Sequence, residues 1–190
     1  MKVLVIGNGG REHALVWSLH KSKYVKELYA APGNAGIGKI AQCVNIKPEA
    51  TRDLAHFAQR GGIDLTIVGP EEPLHQGIVD YFTNQSLRIF GPTQAASRIE
   101  TSKVFAKQFM RKYHIPTASY SVFDKVENAV TFLEEHRLPL VIKADGLTGG
   151  KGSFIVHDRE EAKSIGDKLK ALQSAMKRQL KLGVKLRFLY

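Results

Sequence analysis

Short apolar runs alternate with amphipathic stretches over the first hundred residues, and glycine or proline follows each run. Four runs have the length and composition of buried strands, at residues 2–6, 27–31, 64–68 and 87–90. Apolar residues recur at helical spacing between them, which predicts helices over residues 11–21, 53–60 and about 74–83. This repeated order predicts an open, mostly parallel α/β sheet.

The pattern changes near Thr101. Thr101 and Ser102 can cap a helix that runs to about Tyr113. Farther along, a strand is predicted at residues 120–123, a helix at 126–136 and a hairpin whose return strand is 154–156. Asp158 is predicted to cap a last helix of uncertain length. The chain therefore has a second structural unit of different organisation.

The tip of the predicted hairpin, residues 146–152, holds four glycines among seven residues. Glycines let the backbone turn its N–H groups toward an anion, and Lys143 and Lys151 add positive charge. The loop is not a Walker A motif, because Gly152 stands where that motif has Ser or Thr. It can equally be a hairpin tip with incidental lysines.

A second glycine loop, Gly7 to Gly10, follows the first strand. Gly7 and Gly9 fit a dinucleotide-binding pattern, but Glu12 occupies the place of its third glycine. Arg11 suits a single phosphate at the head of a helix better. A turn that is tight for packing alone explains the glycines equally well. In parallel sheets such loops share one edge, so the loops beginning at 7, 32, 69 and 91 are expected to form a crevice.

Two further charged residues attract attention. Glu71, at a strand end between prolines, can bind an amine or a sugar hydroxyl, or it can complement a helix dipole. Lys103 lies in the first turn of its helix, where the dipole disfavours a cation. That position indicates an anionic partner, although exposed lysines also occur there. The seven histidines show no metal-binding spacing.

Composition is that of a globular protein, with 43% apolar and 24% charged residues. No apolar window approaches membrane-spanning length, and the single cysteine, Cys43, is predicted to be buried or idle, so we expect a cytoplasmic protein. Of the net charge of +10, residues 163–190 carry +7. This basic tail is either a solvated end or an arm for nucleic acid, and the balanced remainder argues against a nucleic-acid partner overall.

Several motifs in order resemble one family. Residues 1–15 (MKVLVIGNGGREHAL), 31–36 (APGNAG), 64–71 (DLTIVGPE) and 89–93 (IFGPT) are similar to the N-terminal domain of phosphoribosylamine–glycine ligases. Ser102-Lys103, residues 115–117 and residues 141–152 resemble the start of the same family's ATP-grasp domain. The resemblance extends from Met1 to about Ala162.

The resemblance implies a Rossmann-like open parallel sheet, the pre-ATP-grasp domain, followed by the beginning of an ATP-grasp α+β domain. The expected division is 1–101 for the substrate domain, 102–162 for the start of the ATP-grasp domain, and 163–190 for the basic tail.

The resemblance also implies a reaction of purine biosynthesis, in which ATP activates glycine as glycyl phosphate and 5-phosphoribosylamine attacks it. The implied substrate-binding residues are Asn8, Gly9, Gly10, Arg11 and Glu71. The implied ATP-binding residues are Lys103, Lys143, Asp145, Gly146, Gly149, Gly150, Lys151 and Gly152. Mg²⁺ or Mn²⁺ is implied as a cofactor, but the family's metal ligands have no counterparts in this sequence. The expected partners are small molecules and not a membrane, and the oligomeric state stays open.

The sequence departs from the family in its loop, where Thr148 and Gly149 replace two alanines, and more seriously after Ala162. The remainder of the ATP-grasp domain has no counterpart, so a truncated or frame-shifted reading is expected. We therefore weigh the ligase against a binding-only fragment that retains the ribose-phosphate site, and we expect little ligase activity from the isolated chain.

Overall fold

The computed structural model describes residues 1–146, 153–179 and 188–189, with side chains through residue 169. The chain divides into two compact units, Met1–Arg98 and Ile99–Tyr190.

The first unit alternates strands and helices in the predicted order. Its strands are β1 (Lys2–Gly7), β2 (Glu27–Pro32), β3 (Gln42–Cys43), β4 (Leu65–Val68) and β5 (Ile89–Phe90). Its helices are α1 (Gly10–His20), α2 (Thr51–Gly61), α3 (Glu71–His75), α4 (Ile78–Asn84) and the start of α5 (Gln94–Thr101), with a 3₁₀ turn at Ile37–Lys39. The five strands form a parallel sheet in the order β3-β2-β1-β4-β5. The predicted parallel α/β sheet is confirmed.

Alternation along β1 explains why this sheet is covered on both faces. Leu4 and Ile6 belong to one core cluster with residues of α2 and α4, such as Leu54 and Phe82. Val3 and Val5 belong to another cluster, with Val16 of α1 among its members. Successive side chains point to opposite faces of a strand, so a fully apolar run requires helices on both sides.

The structure corrects three details of the first unit. The predicted helix over residues 74–83 is wrong, because two helices, α3 and α4, meet at Gly77, which has a φ of 83°. A left-handed residue cannot continue an α-helix, and glycine adopts that conformation without steric cost. The edge strand β3 and the helix α5 were not predicted.

The second unit carries an antiparallel sheet. It contains the end of α5, then α6 (Lys103–Lys112), β6 (Val122–Phe123), α7 (Val126–Glu135), β7 (Leu140–Ala144), β8 (Ser153–Val156), α8 (Arg159–Gln179) and β9 (Phe188–Leu189). The strand order is β6-β9-β7-β8, and β7 and β8 form the predicted hairpin.

Helix α8 crosses the expected boundary at residue 162. Asp158 accepts a hydrogen bond from the Glu161 amide at 2.9 Å, as predicted for a capping residue. Beyond the boundary, Ile165 and Leu169 are buried with Leu133 of α7 and Leu140 of β7. Some of the residues that were expected to belong to the basic tail therefore form a helix that packs in the core. Neither α8 nor any other helix in the described part of the chain is both long and apolar enough to cross a membrane.

Candidate functional site

The loops that follow β2 and β4 each contact the end of β1 at the carboxyl edge of the first sheet. The Gly33 amide donates a hydrogen bond to the Gly7 carbonyl at 3.2 Å, and the Gly69 amide donates to the Ile6 carbonyl at 3.0 Å. Ligands of open α/β sheets bind beyond this edge. The structure therefore brings together three of the four loops from which a crevice was expected.

Glu12 lies beneath the first of these loops. Its side chain is only 4% exposed, and its Oε2 accepts a hydrogen bond from the Gly9 amide at 2.6 Å. A glutamate three residues into a helix commonly makes this contact as half of a capping box. The carboxyl group thus folds back on its own loop. Its position within the glycine pattern did not reveal this burial.

Arg11 and Glu71, two predicted substrate-binding residues, form an ion pair. Arg11 Nη1 lies 2.8 Å from Glu71 Oε1, with the side chains 66% and 29% exposed. The hydrogen bond from Arg11 lowers the pKa of the Glu71 carboxyl, against the opposing effect of partial burial. The loop after β1 and the turn after β4 therefore present a cation and a carboxylate to the same region of the surface.

The other three predicted substrate-binding residues, Asn8, Gly9 and Gly10, are exposed on the same loop. A Cβ atom built on Gly10 meets no described atom within 4 Å. The backbone here is accessible to a ligand at the beginning of α1, where the helix dipole favours an anion.

Asn34 joins the loops after β1 and β2, and sequence reasoning did not select it. Its Nδ2 donates to the Asn8 carbonyl at 2.9 Å, and its Oδ1 accepts from the Ile37 amide at 2.9 Å. Its place in a Pro-Gly-Asn turn was an available indication, because asparagine side chains often bond to nearby backbone. The carbonyl of Asn34 also accepts a weak hydrogen bond from Cys43 Sγ at 3.8 Å, and Cys43 is exposed rather than buried.

In the second unit, Lys103 reaches the start of the glycine loop. Its Nζ donates to the Gly146 carbonyl at 2.8 Å. The cation in the first turn of α6 thus has a partner of opposite polarity in Gly146, whose φ is 90°. The structure therefore brings two predicted ATP-binding residues into contact.

Asp145, another predicted ATP-binding residue, bonds to the beginning of α6. Its Oδ2 lies 3.1 Å from Ser102 Oγ, and its Oδ1 accepts from the Val104 amide at 3.1 Å. Ser102 in turn accepts from the Phe105 amide at 3.1 Å, which confirms it as the N-cap. Asp145 therefore fixes the end of β7 to α6 and brings Lys103 within reach of Gly146.

Lys143 is exposed on β7, two residues before Asp145. Gly149, Gly150, Lys151 and Gly152, also predicted to bind ATP, lie outside the described residues, so their assignment stays a prediction.

The described residues do not provide a metal centre. They contain no group of three or more His, Cys, Asp or Glu side chains that could hold a metal ion. Asp145 accepts a hydrogen bond from the beginning of α6, and Glu71 is paired with Arg11. The described donors do not fit Mg²⁺ or Mn²⁺.

Solved structures with the same architecture define the class of protein. The phosphoribosylamine–glycine ligase of Thermotoga maritima is 28% identical and superposes with a TM-score of 0.70, over 100% of this chain and 43% of that one. N5-carboxyaminoimidazole synthetase of Staphylococcus aureus in complex with ADP has a TM-score of 0.72 over 99% of this chain and 46% of that one, but only 11% identity, and shows the fold alone. The chain has the fold of an ATP-grasp protein's N-terminal domain and the beginning of its ATP-grasp domain.

Sequence comparison then identifies the family. The family model for the phosphoribosylglycinamide synthetase N domain matches residues 1–100, and the model for its ATP-grasp (A) domain matches residues 101–179. The chain belongs to the phosphoribosylglycinamide synthetase family. The match passes Ala162, where the sequence resemblance was expected to end, and continues to the last described residue of α8.

Curated relatives agree with this family. The phosphoribosylamine–glycine ligase of Caldanaerobacter subterraneus subsp. tengcongensis is 56% identical over 167 residues, which cover 88% of this chain and 40% of that protein. The enzyme of Clostridium acetobutylicum is 48% identical over 158 residues, covering 83% and 38%. The chain thus spans about two fifths of the length of these relatives.

Proposed function

We propose that these residues contribute to an ATP-dependent carbon–nitrogen ligase that joins glycine to 5-phosphoribosylamine in purine biosynthesis. The glycine carboxylate takes the γ-phosphoryl group of ATP, which gives glycyl phosphate and ADP. The amine then attacks the carbonyl carbon, phosphate leaves, and the nitrogen loses a proton. The names of the relatives support this proposal.

The observation that carries the proposal is the Arg11–Glu71 pair beside the exposed Asn8–Gly10 backbone. In this assignment, the Arg11 guanidinium and the N-terminus of α1 bind the phosphate of phosphoribosylamine. Glu71 accepts a hydrogen bond from a ribose hydroxyl or from the amine. A glutamate carboxylate is charged at neutral pH, and the hydrogen bond from Arg11, which lowers the pKa of Glu71, favours that charged form further.

Lys103 and Lys143 are assigned to the nucleotide. Lys103 Nζ lies at the Gly146 carbonyl, and Lys143 is exposed on β7 three residues earlier. In this assignment the two ammonium groups neutralise phosphate charge. A bound divalent cation would neutralise further charge on the triphosphate, but we derive no step through a metal because the described donors do not fit one.

The alternative is a binding-only role, in which the chain holds a ribose phosphate without chemistry. Because the substrate-side groups lie in the first unit, binding can persist without turnover.

Calorimetry with ribose 5-phosphate and an ADP-release assay on the 190-residue chain separate these functions. We expect binding that Arg11→Met weakens by about tenfold, as loss of a charge-assisted hydrogen bond predicts. Arg60→Met is the matched control, because Arg60 is exposed in the last turn of α2, at the other end of the sheet.

Release of ADP that requires both glycine and phosphoribosylamine would establish the ligase reaction in this chain. Binding without such release would establish the binding-only role. Absence of both ribose 5-phosphate binding and such ADP release in a folded chain would contradict both functions.

A further inference from the structure

The side chain of Glu12 fills a space that two loops enclose. A Cβ atom on Gly7 would lie 2.5 Å from Glu12 Cγ and 2.9 Å from Pro70 Cδ. A Cβ atom on Gly69 would overlap the Glu12 carboxyl group, with Oε1 nearest. Since real Cβ atoms do not approach so closely, glycine at both positions leaves room for this one side chain.

The two oxygens of Glu12 differ in their surroundings. Oε2 accepts the hydrogen bond from the Gly9 amide at 2.6 Å. Oε1 is buried and has no hydrogen-bond partner among the residues that the structure describes. A buried polar atom without a partner costs about 1–3 kcal/mol. The capping hydrogen bond accounts for Oε2, but it does not account for the burial of Oε1 between the two loops.

The enclosing loops are the ones that carry Arg11 and Glu71. Gly9 lies two residues before Arg11, and Gly69 lies two residues before Glu71. Both contacts of Glu12 therefore act close to the ion pair, whose 2.8 Å separation depends on the distance between the loops.

We propose that Glu12 is a positioning residue that packs the Gly7–Arg11 loop against the Gly69–Glu71 turn and so sets the pairing of Arg11 with Glu71. The effect of Glu12 on ligand binding rests on the proposed function, whereas its effect on the Arg11–Glu71 ion pair does not.

The carboxyl titration of Glu71, followed by ¹³C NMR on the 190-residue chain, measures this pairing directly. In Glu12→Ala, we expect the pKa of Glu71 to rise toward its ordinary value, because Arg11 no longer lies at hydrogen-bonding distance. Removal of a negative charge at Glu12 would by itself lower the pKa of Glu71. A rise in that pKa therefore reports a change in the position of Arg11 and not the lost charge. Glu27, whose pKa is lowered by Tyr29 and Lys2 in another part of the sheet, is the internal control.

Three variants test the packing. Glu12→Gln keeps the shape and an acceptor for the Gly9 amide, so we expect the Glu71 titration to stay near that of the wild type. Gly69→Ala forces a methyl group toward Glu12 and should raise the Glu71 pKa, whereas in the Glu12→Ala background it should add little, because the space is empty. Gly61→Ala is the matched control, since its Cβ would meet only ordinary contacts at 3.8 Å.

Ribose 5-phosphate affinity is measured on the same variants, with Glu12→Asp made in parallel in case the alanine variant does not fold. We expect about tenfold weaker binding in Glu12→Ala or Glu12→Asp and near-native binding in Glu12→Gln. An unchanged Glu71 titration in a folded Glu12→Ala or Glu12→Asp chain would overturn the proposal. A wild-type chain that shows the expected titration but binds no ribose 5-phosphate would contradict the proposed function and leave the positioning role standing.

Discussion

Arg11 and Glu71 combine opposite charges with considerable exposure, and this combination suits a binding role. An ion pair this accessible to solvent contributes little to stability, on the order of 0.2–1 kcal/mol. Arg11 can therefore exchange part of its bonding to Glu71 for a phosphate at small cost to the fold. A buried pair would be far more expensive to separate.

The lowered pKa of Glu71 predicts a pH dependence of stability. Because the folded pKa lies below the ordinary glutamate value of about 4.3, the pair stabilises the chain above that pH, and this contribution is lost as pH falls through the folded pKa. Glu71→Gln should therefore destabilise the first unit by less than about 1 kcal/mol at pH 7, and the difference should vanish in acid. Urea unfolding at several pH values measures it. In an Arg11→Met background most of the pH-dependent part should disappear, and its full persistence there would contradict Arg11 as the main cause.

Two substitutions of Asn34 should change stability and ligand binding to different degrees, through the loops after β1 and β2. Asn34→Ala removes both side-chain hydrogen bonds, and we expect a loss of about 1–2 kcal/mol and weaker ribose 5-phosphate binding. Asn34→Asp keeps an acceptor for the Ile37 amide but places a carboxylate against the Asn8 carbonyl, so binding should fall although the 3₁₀ turn persists. Unfolding and calorimetry measure the two effects. Equal binding by both variants and the wild type would show that Asn34 does not support the Asn8 loop.

Sequence reasoning selected Arg11 and Glu71 as candidate binding residues, but it selected neither Glu12 nor Asn34. Arg11 and Glu71 follow strand ends, and the position of a loop residue follows directly from the order of strands and helices. The burial of Glu12 depends on Gly69, 57 residues away, and the role of Asn34 depends on the backbone of Asn8. Such contacts arise from tertiary packing, which periodicity along the chain does not encode.

At the scale of elements, strand ends were more predictable than helix ends. Apolar runs stop at glycine or proline in this chain, and four of the five strands of the first sheet were predicted from that pattern. The break at Gly77 was missed because apolar residues keep helical spacing across it, and only the left-handed φ interrupts the helix. Strand β3 has two residues, too few to show any alternation.

The capping of α6 by Ser102 predicts a local effect. Ser102→Ala removes the acceptor for the Phe105 amide and the hydroxyl beside Asp145, so we expect a loss of about 1 kcal/mol. Hydrogen exchange at the amides of Val104 and Phe105 should accelerate by about fivefold if local opening governs it. Ser22→Ala is the matched control, because the Ser22 hydroxyl accepts a long, exposed contact of 3.4 Å from the Tyr24 amide. Unchanged exchange in Ser102→Ala would show that Asp145 alone holds the helix end.

At the scale of the whole molecule, each unit has its own hydrophobic core. Among the described residues, the clusters around Leu4 and Val3 contain residues before 99, and the cluster around Leu133 contains later ones. The Arg11–Glu71 pair lies in the first unit and the Lys103–Gly146 contact in the second. Loss of one core therefore need not remove the other unit's site.

The burial of Leu169 also changes how the basic tail can be tested. Deleting residues 163–190 would remove Ile165 and Leu169 from the core together with the positive charge. A loss of nucleic-acid binding after that deletion would not show whether unfolding of the second core or the missing positive charge caused it. Lys163 and Lys168 are exposed on α8, so charge reversal at these two positions changes the charge and leaves the buried residues in place.

The separate cores predict that the units lose stability independently. Leu169→Ala leaves a cavity in the second core and should cost about 2–5 kcal/mol there, while amides of Val3 to Ile6 in β1 keep their protection from hydrogen exchange. Phe82→Ala should have the converse effect, with unprotected β1 amides and unchanged protection in β7. Lys168→Ala, next to Leu169 but exposed, is the control for substitution on α8. If Leu169→Ala lowered protection in β1 as much as in β7, the chain would unfold as one cooperative body, and ribose 5-phosphate binding would then require an intact second unit.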